Sequence, residues 1–378
     1  MINVFQPQLG KEELRAIKKV FESNWLGKGK ITDQFEKEFS GYQGVNNNQI
    51  KSISCCTEGL FQSMELLEIG NGDEVILPSI SFIAAGSAIL KSGAKPIFCD
   101  VNKYSLNPSA EHIAAKITSR TKAVIILHYG GLPAPMDDIM ELVSSKNIFL
   151  IEDSACSVAS TYKNKACGTF GDIGIWSFDA MKILVTGDGG MMYFKDEETA
   201  KRAEHFLYLG LMSKSGLEKT DSVDKKWWEY DITYPGRRAI MNDITAALGL
   251  EQLNKLSMFI AKRRQVHNRY NEELKDLDYL SLPPEIPDHC KSSYYFYWIQ
   301  TKEHKQRDRL AIYLKNKDIY STFRYYPLHR VKYFGSDVVL PNTETAADTT
   351  LCIPMHQSLT NEDIDKIIDS IRSFKKTI

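Results

Sequence analysis

Between residues 50 and 200, short apolar runs alternate with helix-like segments, and this alternation constrains the fold more than any other feature. "DEVILP" (73–78), "KPIFCD" (95–100), "KAVIILHY" (122–129) and "NIFLIED" (147–153) are rich in β-branched or aromatic residues and too short for helices. Such continuous apolar runs are strands buried on both faces. Between them lie the amphipathic patterns "SFIAAGSAILKSG", "SAEHIAAKI" and "APMDDIMELVSSK". The alternation predicts an α/β fold whose large domain holds a mostly parallel sheet flanked by helices. "DIGIWSF" and "GGMMYF" extend that sheet. A weakly patterned stretch from 199 to 230 reads as a long loop. A long helical pattern from "NDITAALG" then leads into a smaller C-terminal α+β domain. There "SYYFYWIQ" and "IYSTFRYYPLH" read as strands, and "NEDIDKIIDSIRSF" reads as a closing helix capped by Thr360 and Asp363. The division is placed at 1–250 and 251–378.

In parallel sheets ligands bind at the carboxyl ends of the strands, and four unusual stretches fall there. "GIWSFDAMKILVTGDGG" sets Lys182 among apolar residues, five positions after Ser177. Either the amine snorkels to water, or it condenses with an aldehyde, which removes a costly buried charge. "LIEDSACS" ends a strand on Asp153, which is either a helix cap or the partner of a cation. In "SISCCTEGLFQSMELL", small polar residues precede a helix, so Thr57 is either a plain cap residue or a phosphate ligand. Phe82, in "SISFIAAG", either fills the core or lies on a flat ligand. Ser177 offers a second hydroxyl for phosphate. Taken together the four describe a flat, phosphorylated aldehyde with a basic ring nitrogen, which is pyridoxal 5′-phosphate.

The order and spacing of these stretches resemble the DegT/StrS-type nucleotide-sugar aminotransferases over nearly the whole chain. The carrying block is "EDSACSVASTYKNKACGTFGDIGIWSFDAMKILVTGDGG", joined by "MNDITAALGLEQL", "YYPLH" and "LCIPMHQSLTNEDI". The resemblance implies the aspartate-aminotransferase fold, with Lys182 as the Schiff-base lysine and Asp153 on the pyridine nitrogen. It implies Phe82 against the ring, and Thr57, Ser177 and the backbone at Cys56 on the phosphate. His329, in "YYPLH", falls beside the substrate. Three departures stand out. Cys55-Cys56 replaces a Ser-Gly pair, and Cys156 stands where Gln or His contacts the cofactor's ring oxygen. Arg238 stands where an Asn reaches the phosphate of a neighbouring subunit, a task that Asn242 is alternatively placed to take. The resemblance further implies a homodimer with shared sites, glutamate as amino donor, a nucleotide-linked keto-sugar as acceptor, and a place in surface polysaccharide or glycoside synthesis. The sugar's diphosphate needs cations or N–H groups. Lys28 and Arg237 are candidates, with Trp228 beside Lys226 to stack on the base or sugar.

Other classes fit less well. A sugar dehydratase of the family would carry histidine at the position of Lys182. A pyridoxal-phosphate-binding regulator would carry a fused DNA-binding domain, for which the chain has no spare segment. No GxGxxG follows a first strand, which argues against a nicotinamide dehydrogenase. Of 378 residues, 47 are Lys or Arg and 48 Asp or Glu, so the formal charge of −1 suggests neither nucleic acid nor a membrane surface as partner. Seven cysteines with no metal-binding spacing suggest free thiols, no metal site and, with no signal-peptide pattern at the start, the cytoplasm.

Overall fold

The computed structural model describes residues 1–211, 232 and 234–374. Two helices come first, α1 (Lys11–Glu22) and α2 (Lys30–Gln43), followed by β1 (Ile50–Ile53), α3 (Cys56–Leu66), β2 (Glu74–Pro78), α4 (Ile83–Ser92) and β3 (Lys95–Cys99). Next come α5 (Ala110–Ala114), β4 (Thr121–Leu127), α6 (Met136–Lys146) and β5 (Phe149–Asp153). A small hairpin, β6 (Thr161–Tyr162) and β7 (Lys165–Ala166), precedes β8 (Ile173–Ser177), β9 (Gly190–Phe194) and α7 (Glu197–Phe206). The large sheet has seven strands in the order β1-β9-β8-β5-β4-β2-β3. The pairs from β8 through β3 are parallel, and β9 runs antiparallel to both of its neighbours.

Both faces of this sheet are covered, as the continuous apolar runs require. Ile173, Ile175, Met192 and Phe194 pack with Leu60 and Met64 of α3 and Ala200 and Ala203 of α7. Trp176, Met191 and Tyr193 face the other way, onto Phe35, Phe39 and Phe178. The rings of Phe39 and Trp176 meet edge to face, with centroids 5.1 Å apart. α7 corrects the expectation of a loop from 199. Its apolar stripe is narrow, essentially Ala200, Ala203 and Leu207, so its polar face hides the period, although Asp196 caps it through the N–H of Thr199 at 2.8 Å.

The second half is built on α8 (Asp243–Leu274), a helix of 32 residues that runs through position 250 without a break. Its first half packs on the large sheet through Leu250, Leu253 and Phe259. Its second half, through Val266, Tyr270 and Leu274, packs on a separate core. That core covers a three-stranded sheet of β10 (Leu280–Ser281), β12 (Tyr297–Thr301) and β13 (Thr350–Ile353), in the order β10-β12-β13. β11 (Cys290–Lys291) instead pairs with β6. α9 (His304–Lys315), α10 (Pro341–Thr349) and α11 (Asn361–Phe374) complete the chain. The cap of α11 forms as expected, with Asp363 N–H to Thr360 Oγ1 and Thr360 N–H to Asp363 Oδ2, both 3.1 Å. The strand expected at 319–329 does not form. The segment makes single bridges at Ile319 and Thr322 and ends in a short 3-10 turn at Leu328–Arg330. The chain's first residues join this half, since Ile2 bridges Ile319. All seven cysteines are free. Among the described residues no helix is long and apolar enough to cross a membrane.

Candidate active site

At the carboxyl ends of the parallel strands lies a cavity of about 220 Å³, which Cys56, Thr57, Phe82, Asp153, Ser177 and Lys182 line together. Sequence patterning points to Thr57, Phe82, Asp153, Ser177 and Lys182, and the family resemblance adds Cys56. Asp153 and Ser177 are the last residues of the adjacent strands β5 and β8, so the pairing of two buried strands sets one beside the other. Lys182 follows β8 in a tight turn closed by its own N–H to the Asp179 carbonyl at 2.9 Å.

α3 begins at the cavity wall. Cys55 caps it, its Sγ accepting the Glu58 N–H at 3.4 Å and its carbonyl the Gly59 N–H. The N–H groups of Cys56 and Thr57 are therefore the first donors of the helix without an intrahelical partner. With the positive end of the helix dipole, they form an anion site. Gly190 allows this approach, because a Cβ there would meet the Trp176 carbonyl at 2.6 Å and the Cys56 nitrogen at 3.1 Å. This glycine of "GDGG" thus lets the strand and the start of α3 pack closely.

Asp153 is only 2% exposed. Burial raises its pKa above the usual carboxylate range, and the nearby Lys182 ammonium offsets part of that rise. One oxygen accepts the Ala155 N–H at 3.1 Å. Burial likewise opposes the charge on Lys182. The Tyr295 phenol, the Cys156 and Cys56 thiols and the Asp153 carboxylate outweigh it, so the amine stays above its ordinary value. Its Nζ lies 4.9 Å from the centre of the Tyr295 ring. Phe82, 44% exposed, stands at the mouth, 5.7 Å from the ring of Tyr325. An aromatic ring so open at a helix start is not core packing.

Behind β5, Glu152 and His128 are fully buried and 3.0 Å apart. His128 Nδ1 accepts the Ala134 N–H at 3.1 Å, so the Nε2–H donates to the Glu152 carboxylate. Glu152 also accepts the N–H groups of Gly168, Phe170 and Gly171 at 2.6–2.8 Å.

The remaining expected ligands lie elsewhere. Cys156 is buried outside the lining, its Sγ 3.8 Å from the Tyr325 hydroxyl. His329 is held by Ser79, Nδ1 to Oγ at 2.7 Å, with Nε2 3.4 Å from Glu344. Arg237 pairs with Glu58 at 2.8 Å and Glu65 at 3.1 Å on α3. Lys28 pairs with Glu36 at 2.9 Å. Arg238 is exposed, 5.6 Å from the Tyr208 ring. Asn242 caps α8, its oxygen taking the Thr245 N–H at 3.0 Å. None of these six lines the cavity of its own chain. Trp228 and Lys226 lie outside the described residues. Sequence reasoning missed Tyr295, Arg324 and Tyr325, which reach the cavity from the C-terminal half. Only the aromatic cluster "FRYY" hinted at the last two.

Known proteins define the class. Aminotransferase TlmJ from Streptoalloteichus hindustanus is 49% identical and superposes with a TM-score of 0.95 over 100% of this chain and 99% of its own. A putative sugar aminotransferase from Streptococcus pneumoniae, solved in its PMP form, is 24% identical and shares the fold at a TM-score of 0.93 over 100% of both chains. The chain belongs to the DegT/DnrJ/EryC1/StrS aminotransferase family, which it matches over residues 7–372. A relative from Saccharopolyspora spinosa, a dTDP-4-dehydro-2,3,6-trideoxy-D-glucose 4-aminotransferase, is 47% identical over 98% of this chain and 96% of its own.

Proposed function

We propose that this enzyme is a pyridoxal 5′-phosphate-dependent transaminase that takes an amino group from L-glutamate and delivers it to a nucleotide-linked keto-deoxy-sugar. One observation carries the reading: a lysine amine, a buried carboxylate and a helix N-terminus with free N–H groups share one small cavity. The donor set suits the cofactor group by group. The Cys56 and Thr57 N–H groups and the Thr57 and Ser177 hydroxyls suit a phosphate. Asp153 suits a protonated ring nitrogen, Phe82 the face of the ring, and Lys182 the aldehyde.

When bound, the cofactor supplies an electron sink for charge that develops at the donor's α-carbon. The chain's own residues do the rest. Asp153 presents a fixed negative charge in a dry site, where it is worth more than in water. Lys182 would hold the cofactor through Nζ and, when not engaged with it, would offer a free amine there. Neutral, that amine takes the proton from the donor's α-carbon and returns it on the other side of the exchange. Tyr295 lies against the amine and limits its travel.

The 47% identical relative supports a dTDP-linked 4-keto-sugar as acceptor. Arg238 and Asn242, outside their own chain's cavity, support a homodimer in which each copy completes its partner's site. Borohydride reduction of cofactor-loaded protein followed by peptide mapping tests the first part, with the adduct expected on Lys182. Mass spectrometry of dTDP-, UDP- and GDP-linked 3- and 4-keto-sugars incubated with glutamate tests the second. An adduct on another lysine overturns the site, and failure to aminate any of the sugars overturns the acceptor class.

A further inference from the structure

Two cations line the cavity, Lys182 and Arg324. Lys182 has Asp153 as its counter-charge. Arg324 has no carboxylate within ion-pair distance among the described residues. Its guanidinium lies 5.4 Å from the Phe5 ring centre, and its nearest polar contact is Met181 Sδ at 3.7 Å. Its backbone is fixed, because the Arg324 carbonyl accepts the Tyr129 hydroxyl. Phe5 in turn stacks on Tyr295, with centroids 5.6 Å apart and the planes 21° from parallel. Tyr295 is the ring beneath Lys182. The two cations thus sit on a common aromatic stack, with Arg324 reaching the residue that precedes the lysine.

We infer that Arg324 binds the α-carboxylate of the amino donor, a reading that rests on the transaminase function proposed above. A guanidinium pairs with a carboxylate through two parallel hydrogen bonds. The donor's carboxylate is bonded to the very carbon whose proton Lys182 must reach. A cation that touches the neighbour of Lys182 is placed for that group. The diphosphate of the acceptor is attached at the anomeric carbon, across the sugar ring from a 4-keto group, and so lies farther from the amine. Its position over the Phe5 ring holds the guanidinium without consuming its donors.

The two half-reactions separate the possibilities. Cofactor-loaded wild type, Arg324→Met and Arg324→Lys are mixed with L-glutamate, and the loss of the cofactor's absorbance band is followed by stopped flow. Arg324→Met is expected to raise the glutamate concentration for half-maximal rate roughly 10- to 100-fold, the loss of a charge-assisted hydrogen bond. Arg324→Lys recovers part of this. The band before mixing, the thermal midpoint and the reverse half-reaction with the nucleotide-linked amino-sugar stay as in wild type. Unchanged glutamate dependence overturns the assignment. A loss confined to the amino-sugar half-reaction assigns Arg324 to the diphosphate instead. Equal loss in both, with a lowered thermal midpoint, makes it a structural member of the stack. Wild type that does not respond to glutamate overturns the donor reading, and this inference with it.

Discussion

Glu152 and Asp153 are adjacent in sequence and serve opposite faces of one strand. Asp153 looks into the cavity with Lys182, while Glu152 holds His128 and the three N–H groups of the 168–171 turn behind the sheet. Alternation along a strand imposes this division. One carboxylate is therefore free for chemistry and the other is consumed by structure, and substitutions should separate them.

Asp153→Asn keeps the shape and removes the charge. The glutamate half-reaction should slow by about 10²-fold or more, the scale of a lost electrostatic contact in a dry site. The thermal midpoint should move little, since relief of the desolvated carboxylate is offset by the loss of the counter-charge to Lys182. Single-turnover kinetics beside a melting curve check both, and near-native turnover would remove Asp153 from the mechanism.

Glu152→Gln should behave in the opposite way. Replacing one carboxylate oxygen by an NH₂ group sets a donor against the backbone N–H groups of Gly168, Phe170 or Gly171. The cost is about 1–3 kcal/mol of stability, the range for leaving a buried group unpaired. Denaturant unfolding measures it. A variant as stable as wild type would show that the turn is held by other means.

His267 and His356 should make the protein acid-sensitive. Burial lowers each from 6.5 to about 4. At His356 the Arg263 guanidinium adds to the effect. The unfolded chain binds these protons first, so stability is complete above about pH 6.5 and falls as pH drops toward 4. Each group contributes at most about 3 kcal/mol across that window. Melting midpoints between pH 7 and pH 4 should fall, and His356→Gln should flatten part of the slope. A slope unchanged by the substitution would shift the effect to other groups.

His329 is tied to Ser79 and Glu344 and does not line the cavity. His329→Ala should cost about 1 kcal/mol through the lost hydrogen bond to Ser79. The Michaelis constant for the nucleotide-sugar should not change. A raised constant at unchanged stability would restore the substrate contact that the resemblance implies.

Much of the fold was legible because local rules wrote it. The apolar runs at 73–78, 95–100, 122–129 and 147–153 became β2, β3, β4 and β5, since a strand buried on both faces needs no polar alternation. Asp153, Ser177, Thr57 and Lys182 stood out because polar groups at the ends of buried elements need a reason to be there. α7 was missed because its buried face is only two alanines and a leucine wide. The strand expected at 319–329 was misread because its aromatic residues pack against the cavity and the core instead of pairing in a ladder.

The sequence by itself determined the parallel α/β sheet and the residues at its carboxyl edge, because hydrophobic period and strand-end polarity are local properties. Only the tertiary structure decided which groups meet Lys182 and which cation remains for a substrate. Phe5, Lys182, Tyr295 and Arg324 form one stack from segments that are more than 100 residues apart, except for the last two. The same packing spends Arg237, Lys28 and His329 on Glu58, Glu36 and Ser79. No periodicity records such pairings. They follow from how α8 and the C-terminal sheet dock on the large one, and that docking is fixed by burial summed over the whole interface rather than by any one segment.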